Sequence, residues 1–390
     1  MNPKRLILSA ARVAALAMLP IAVPFLVGFP RLARSADAPA ATGQWSLVSG
    51  MMSGTVELSL SIERPGHKHE WGSRDVALSE LVGLTPEDLT RDAADVMFRL
   101  QRDAGAFVMQ GNIVHGRGKG TFNLFLSRAF ADEVQRRLGS RPSREQQVLL
   151  ALDDGKLELL DEFQGLGFAA PNVELFVRCA QHGVTRDYVH DLVALGYKLS
   201  SIDEWVKARD HGVDAQFASG MAKAGYSDLT FAQLLRARDH GADPEYAAAM
   251  RAAGFGQQSL DDLVTTRDHG VDADFIRALD AIGFRGLSLA KLVELRDHGV
   301  DAQYLAGLKR MGFLGLTPSS AIEARSHGVD AAYISSLQDV GYGGITLADA
   351  IRARDHGVDA GFAASVQRRL GRTPPIDELI RMRDTGDSGN

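Results

Sequence analysis

The recurrence of one short string constrains this chain more than any other feature. His182, His211, His240, His269, His298, His327 and His356 follow one another at intervals of 29 residues without a slip. Each precedes a glycine, and five sit in the string RDHG. Thr385 takes the next place, in RDTG. A fixed period of this size calls for equal supersecondary units stacked in a row, each too small to bury its apolar face alone. Upstream the register persists in altered form. Gly167-Phe168 project onto the later Gly-aromatic pairs, and Phe130–Gly139 (FADEVQRRLG) resembles Phe362–Gly371 (FAASVQRRLG). The array is therefore expected over residues 128–390.

Each unit spells out two helices. Three residues beyond each histidine stands Thr185, Asp214, Asp243, Asp272, Asp301, Asp330 or Asp359. Their side-chain oxygens can accept the unpaired amides of a first helical turn. An aromatic comes three residues later, from Tyr188 and Phe217 through Phe362, and an apolar residue four beyond that, so both share one helix face. Gly196, Gly225, Gly254, Gly283, Gly312 and Gly341 suit left-handed C-terminal caps. A second set of caps, Asn172, Ser201, Thr230, Ser259, Ser288, Thr317 and Thr346, opens the second helix. Glu204 and Gln233 stand three residues past theirs, as a capping box requires. Stacking buries the aromatic stripes, each ring contributing about 1.5–3 kcal/mol.

Seven histidines in register invite a metal or proton-relay reading. Packed helices lie about 8–10 Å apart, whereas each zinc ligand sits about 2.0–2.1 Å from its ion. One imidazole per unit therefore does not make a shared metal site. The histidines are read as structural, bonding terminal carbonyls at helix C-termini, with the preceding arginine and aspartate tying adjacent units. Titration near neutrality leaves pH sensing open, to be excluded by a melting temperature flat between about pH 5 and 8.

Residues 40–127 have a different texture. Thr55–Ile62 alternates polar and apolar as a half-buried strand does. Pro65-Gly66 marks a turn, with a partner strand over 71–81. Asp95–Leu100, Ala106–Gln110 and Thr121–Leu126 are further strands, and Thr85-Pro86-Glu87-Asp88 starts a short helix. A small antiparallel sheet or sandwich is expected. The basic, glycine-rich Gly116–Gly120 lacks the Walker spacing and reads as a hairpin turn. His67, His69 and Glu70 fit a polar hairpin tip better than a metal site, because no further ligand can be assigned.

The remaining composition limits function. A net charge of −6 with scattered positive residues argues against a phosphate-backbone binder. The single cysteine, Cys179, excludes an intramolecular disulfide and any cysteine-based zinc site, and reads as a buried small apolar residue. Lys4, Arg5 and Arg12 precede or interrupt an apolar run, Val13–Phe29, which is the pattern of an export segment. Ala36-Asp37-Ala38 offers small residues for cleavage, although Pro39 disfavours it. Residues 1–36 are thus a signal peptide or a signal anchor, and the rest is expected outside the cytoplasm. No HExxH, GxSxG or kinase-like signature occurs, so neither an enzyme nor a cofactor or metal is expected.

Three stretches together, Asp103–Phe107, Gly116–Phe122 and the RDHGVDA strings, resemble the extracytoplasmic region of some bacterial antirepressor membrane metallopeptidases, the class that includes beta-lactam sensors. The chain lacks that class's HExxH helix and multi-span peptidase domain, so proteolysis is not carried over. The resemblance implies a role in envelope sensing or in partnering such a peptidase. The expectation is an α+β multidomain protein: signal or anchor helix, small antiparallel β domain, then an α-solenoid that binds a protein or peptide partner. Its candidate contact positions are Gln216, Glu245, Asp274 and Gln303, between caps and aromatics. A small-molecule or metal sensor acting through the strand-rich domain is the alternative.

Overall fold

The computed structural model describes residues 38–50, 54–64 and 67–386, apart from the side chains of 63–74. The expected leader, 1–36, and the Pro65-Gly66 turn lie outside the described residues, as do the side chains of His67, His69 and Glu70. Seven strands come first: β1 (Ala41–Ser49), β2 (Thr55–Arg64), β3 (His67–Ala77), β4 (Leu81–Val82), β5 (Ala93–Arg102), β6 (Gly105–Val114) and β7 (Arg117–Leu126). Their order is β3-β2-β1-β7-β6-β5-β4, antiparallel throughout.

That order dictates the shape. β3 and β4 occupy opposite edges, yet only the 3-10 turn Leu78–Glu80 separates them in the chain. Seven strands laid flat would span roughly 29 Å, and four residue steps reach only about 14 Å. The sheet therefore curls until its edges nearly meet. Inward positions alternate with outward ones: Trp45, Leu47, Phe98, Phe107, Met109, Phe122 and Leu124 are all almost fully buried. Trp45 meets Phe98 edge-on at 5.1 Å, and its Nε1–H donates to the Gln110 carbonyl at 3.1 Å.

The glycine-rich stretch exists to seat that indole. A Cβ on Gly118 would lie 2.7 Å from the Trp45 ring, and one on Gly111 or Gly120 would be equally close. Only His115 and Gly116, both with positive φ, form the hairpin turn, and Arg117–Gly120 belong to β7. The expected turn is thus two residues long. A type I′ turn matches the strand twist, which is why two residues suffice.

α1 (Pro86–Thr90) opens on a Thr85 capping box with Pro86 in its first turn. α2 (Arg128–Leu138), α3 (Arg144–Leu152) and α4 (Glu158–Gly165) then lead into the array. α3 packs against β6 and β7. The buried Gln147 amide donates to the carbonyls of Ala104 (2.9 Å) and Ser127 (2.7 Å), and the Asp103 carboxylate accepts from the Leu157 amide. One continuous core therefore runs from the sheet into the helices.

From α4 onward two series alternate. Series A comprises Val173–Gln181, Ile202–Asp210, Phe231–Asp239, Leu260–Asp268, Leu289–Asp297, Pro318–Ser326, Leu347–Asp355 and Ile376–Asp384. Series B comprises Arg186–Ala194, Ala215–Lys223, Pro244–Met250, Ala273–Ala281, Ala302–Arg310, Ala331–Asp339 and Ala360–Leu370. A packs on A and B on B along the array. The expected caps form: Asp214 accepts from the Phe217 amide at 2.8 Å, and Thr230 from that of Gln233 at 3.3 Å. Thr230–Gln233 is a reciprocal box, whereas the Glu204 carboxylate reaches the Ser200 amide instead, at 2.7 Å. The B-helix glycines, Gly196 to Gly341, all adopt φ between 92° and 101°. The result is a solenoid-like helical stack joined to a nearly closed sheet.

Candidate functional site

The corners at which A helices end carry the recurrent chemistry, and they turn out to be fasteners between units. Each histidine's backbone amide closes its own helix, as His182 does on the Arg178 carbonyl at 3.0 Å. Its ring does not seek carbonyls. Nδ1 meets the aspartate of the next corner: His182–Asp210, His211–Asp239, His240–Asp268, His269–Asp297, His327–Asp355 and His356–Asp384, at 2.5 to 2.8 Å. Where the string reads RSHG, His298 faces the Ser326 hydroxyl at 3.2 Å.

The arginine of each corner acts differently. Arg209, Arg238, Arg267, Arg296, Arg325, Arg354 and Arg383 lie over the rings of Tyr188, Phe217, Tyr246, Phe275, Tyr304, Tyr333 and Phe362, between 4.2 and 5.0 Å from the centroids. Guanidinium–ring contact of this kind contributes about 0.5–2 kcal/mol. Under the guanidinium the corner glycine turns with φ near 65–71°, as at Gly183 and Gly241. The expected tie by arginine and aspartate is present, with cation–π contact as the arginine's part in it.

A further link crosses most of the joints. Tyr188, Tyr246, Tyr304 and Tyr333 donate their hydroxyls to Val213, Val271, Val329 and Val358 carbonyls of the following unit, at 2.6 to 2.8 Å. Burial pushes the Tyr304 and Tyr333 hydroxyls up to about 12. Phe217 and Phe275 lack the hydroxyl, and there Arg251 and Lys309 reach back to the Ala224 and Ile282 carbonyls. The joint without an aspartate, His298–Ser326, has both a tyrosine bond and a bond from Gln338 to the Met311 carbonyl at 3.0 Å. No joint depends on one contact.

The ladder has chemical ends. One period before His182 stands Asp153, followed by Asp154 in the glycine's left-handed place with φ 55°. Asp154 is half buried beside Arg102, and desolvation raises its carboxyl above the ordinary range. One period beyond His356, Thr385 takes the imidazole's place, and its hydroxyl donates to the Arg381 carbonyl at 2.9 Å.

With the corners committed to packing, the variable surface lies elsewhere. Gln216, Glu245, Asp274 and Gln303 are exposed on the first turns of successive B helices. Gln216 and Glu245 share a groove of about 370 Å³ whose lining includes Ser219, Gly220, Lys223 and Pro244. The groove is shallow because B helices approach closely: a Cβ on Gly220 would meet Pro244 at 2.7 Å. Asp274 pairs with its own Arg277, and Gln303 lies one unit farther along. Ser219 and Lys223 escaped the sequence reading, although their places also change from unit to unit. Among the described residues, no group of three or more His, Cys, Asp or Glu is placed to hold a metal ion, and no helix is long and apolar enough to cross a membrane.

The architecture is that of a helical-repeat scaffold compatible with holding a protein or peptide partner. Comparison with protein-family models, curated proteins and solved structures finds no match to this chain.

Proposed function

We propose that this protein is an extracytoplasmic, non-catalytic scaffold whose solenoid of 29-residue units holds a protein or peptide partner in envelope sensing. One observation carries the reading. Residues that vary between units, among them Gln216, Glu245, Asp274 and Gln303, face outward on series B, while the invariant ones are spent on joints. A stiff stack with constant joints and a variable face is how solenoids achieve selective binding over an extended surface. The export pattern of residues 4–29 supports placement outside the cytoplasm, retained by an uncleaved leader or released by cleavage. The resemblance to the sensor regions of antirepressor peptidases supports a membrane peptidase or its regulator as the partner.

The test is photo-crosslinking in the intact envelope. A benzophenone amino acid at position 216 or 245 should yield one discrete adduct, and the same group at Glu323, on series A, should yield none. Equal labelling at all three positions would remove the B face as the binding surface. An alkaline phosphatase fusion at the C-terminus should be active, and an inactive fusion would overturn the export reading.

A further inference from the structure

The units of the array are one another's controls, and the one built from Pro244–Met250 and Leu260–Asp268 departs from the others in its loop. Five helices of series B have nine residues, whereas Pro244–Met250 has seven and closes through a π turn, Arg251–Phe255. Gly254 and Gly256 both take left-handed φ, at 97° and 62°. Gln258 then stands where four other units have Leu229, Leu287, Leu316 and Ile345, all packed on the core. It is only 8% exposed, and among the described residues neither its Nε2 nor its Oε1 has a hydrogen-bond partner. Ser200 is polar at the same place, but it lies in solvent and bonds Glu204. Gln147 and Thr266, also buried, both donate to carbonyls.

We propose that this loop is a built-in opening point: Gln258 swings out into water and the first turn of Leu260–Asp268 loosens with it, while the aligned loops stay shut. Closed, the amide has given up its hydration and gained no bond, so the closed state carries the desolvation cost of both groups. Opening restores that hydration. A leucine in the same slot has the opposite balance, because exposure to water is what costs it. Gly254 and Gly256 let the backbone turn through conformations closed to other residues. Two contacts confine the motion. The Arg251 guanidinium donates to the Ala224 carbonyl and the Gln257 amide to that of Gly225, so the chain before Gln258 stays on the preceding unit. Behind the loop Tyr246, Met250, Leu263 and Val264 are buried, so the unit keeps its core. The stack thus has one place that yields without the loss of a unit, as local openings of low free energy do in otherwise stable folds. The device is independent of what the B face holds.

Hydrogen exchange of the full chain tests the proposal, because the closed loops make equal bonds. The Asp262 and Leu263 amides bond Ser259 at 3.0 Å each. Lys291 and Leu292 bond Ser288 at 3.3 and 3.0 Å, and Ser320 and Ala321 bond Thr317 at 3.1 and 3.0 Å. Corrected for intrinsic rates, Asp262 and Leu263 should exchange about tenfold faster or more than the other four. Gln258→Leu should slow them into the range of the others and leave those four unchanged. Gln258→Met repeats the test should leucine disturb the fold. Equal exchange at all six amides of the wild type, fast exchange that survives both variants, or slowing that spreads equally to all six would each overturn the proposal.

Discussion

At the scale of single residues, what a side chain meets decides its part more than its type. Cys179 is fully buried, and desolvation pushes its thiol up to about 12. It should resist a disulfide reagent at pH about 8 in the native protein and react at once in denaturant. Rapid native labelling would show that its helix opens. Tyr304 and Tyr333 allow a signed pH prediction. Their folded values lie near 12, above the ordinary 10. Between these limits the unfolded chain loses protons that the folded chain keeps, so stability is full below about pH 10 and falls as pH rises through about 12. Replacing both with phenylalanine should make that slope shallower while lowering neutral stability by about 1 kcal/mol for each lost bond, the remainder of the slope coming from Tyr188 and Tyr246, whose hydroxyls burial also raises. Denaturant midpoints across pH 9–12 measure both effects. Gly118→Ala should destabilise the sheet by about 1–3 kcal/mol, because its methyl would overlap the buried Trp45 ring.

At the scale of elements, the joint between units is what matters, because no two-helix hairpin of this size holds itself together. Cap loss is one measure. Thr230→Ala removes the bond to the Gln233 amide and should cost about 1 kcal/mol. Redundancy is another. The His298–Ser326 joint lacks its ion-pair partner but holds two compensating bonds. Ser326→Asp should therefore complete the ladder and gain only about 0.2–1 kcal/mol, since the rung is exposed. A gain of several kcal/mol by chemical denaturation would mean that the joint is the weak point of the stack.

At the scale of the whole molecule, sheet and array share a core, so dividing them exposes apolar surface. A fragment ending at residue 127 loses the Gln147 bonds to Ala104 and Ser127 and the α3 face packed on β6 and β7. It should melt lower than a fragment ending at residue 168, which keeps α2 to α4. By contrast, excising residues 241–269 rejoins equivalent positions of two units. The shortened chain should keep its helicity per residue and unfold in one transition at a lower midpoint, as expected when stability is a sum over units and joints. Loss of cooperative melting would refute that view of the stack.

The helical array was legible because local rules suffice there: cap, aromatic and left-handed glycine recur at fixed offsets, and each acts within a few residues of its own position. Asp214, Thr230 and Gly225 do in space what their spacing announces. The sheet was legible only as alternation, since pleating shows which face is wet but not which strand lies beside which. Its curl, the pairing of β1 with β7 and the seating of Trp45 on Gly111, Gly118 and Gly120 join residues more than sixty apart, and local propensity does not encode such contacts. The same limit applies to the corners. Sequence placed histidine, aspartate and arginine side by side, but each reaches for a partner about one unit away, and only packing brings that partner within a bond's length.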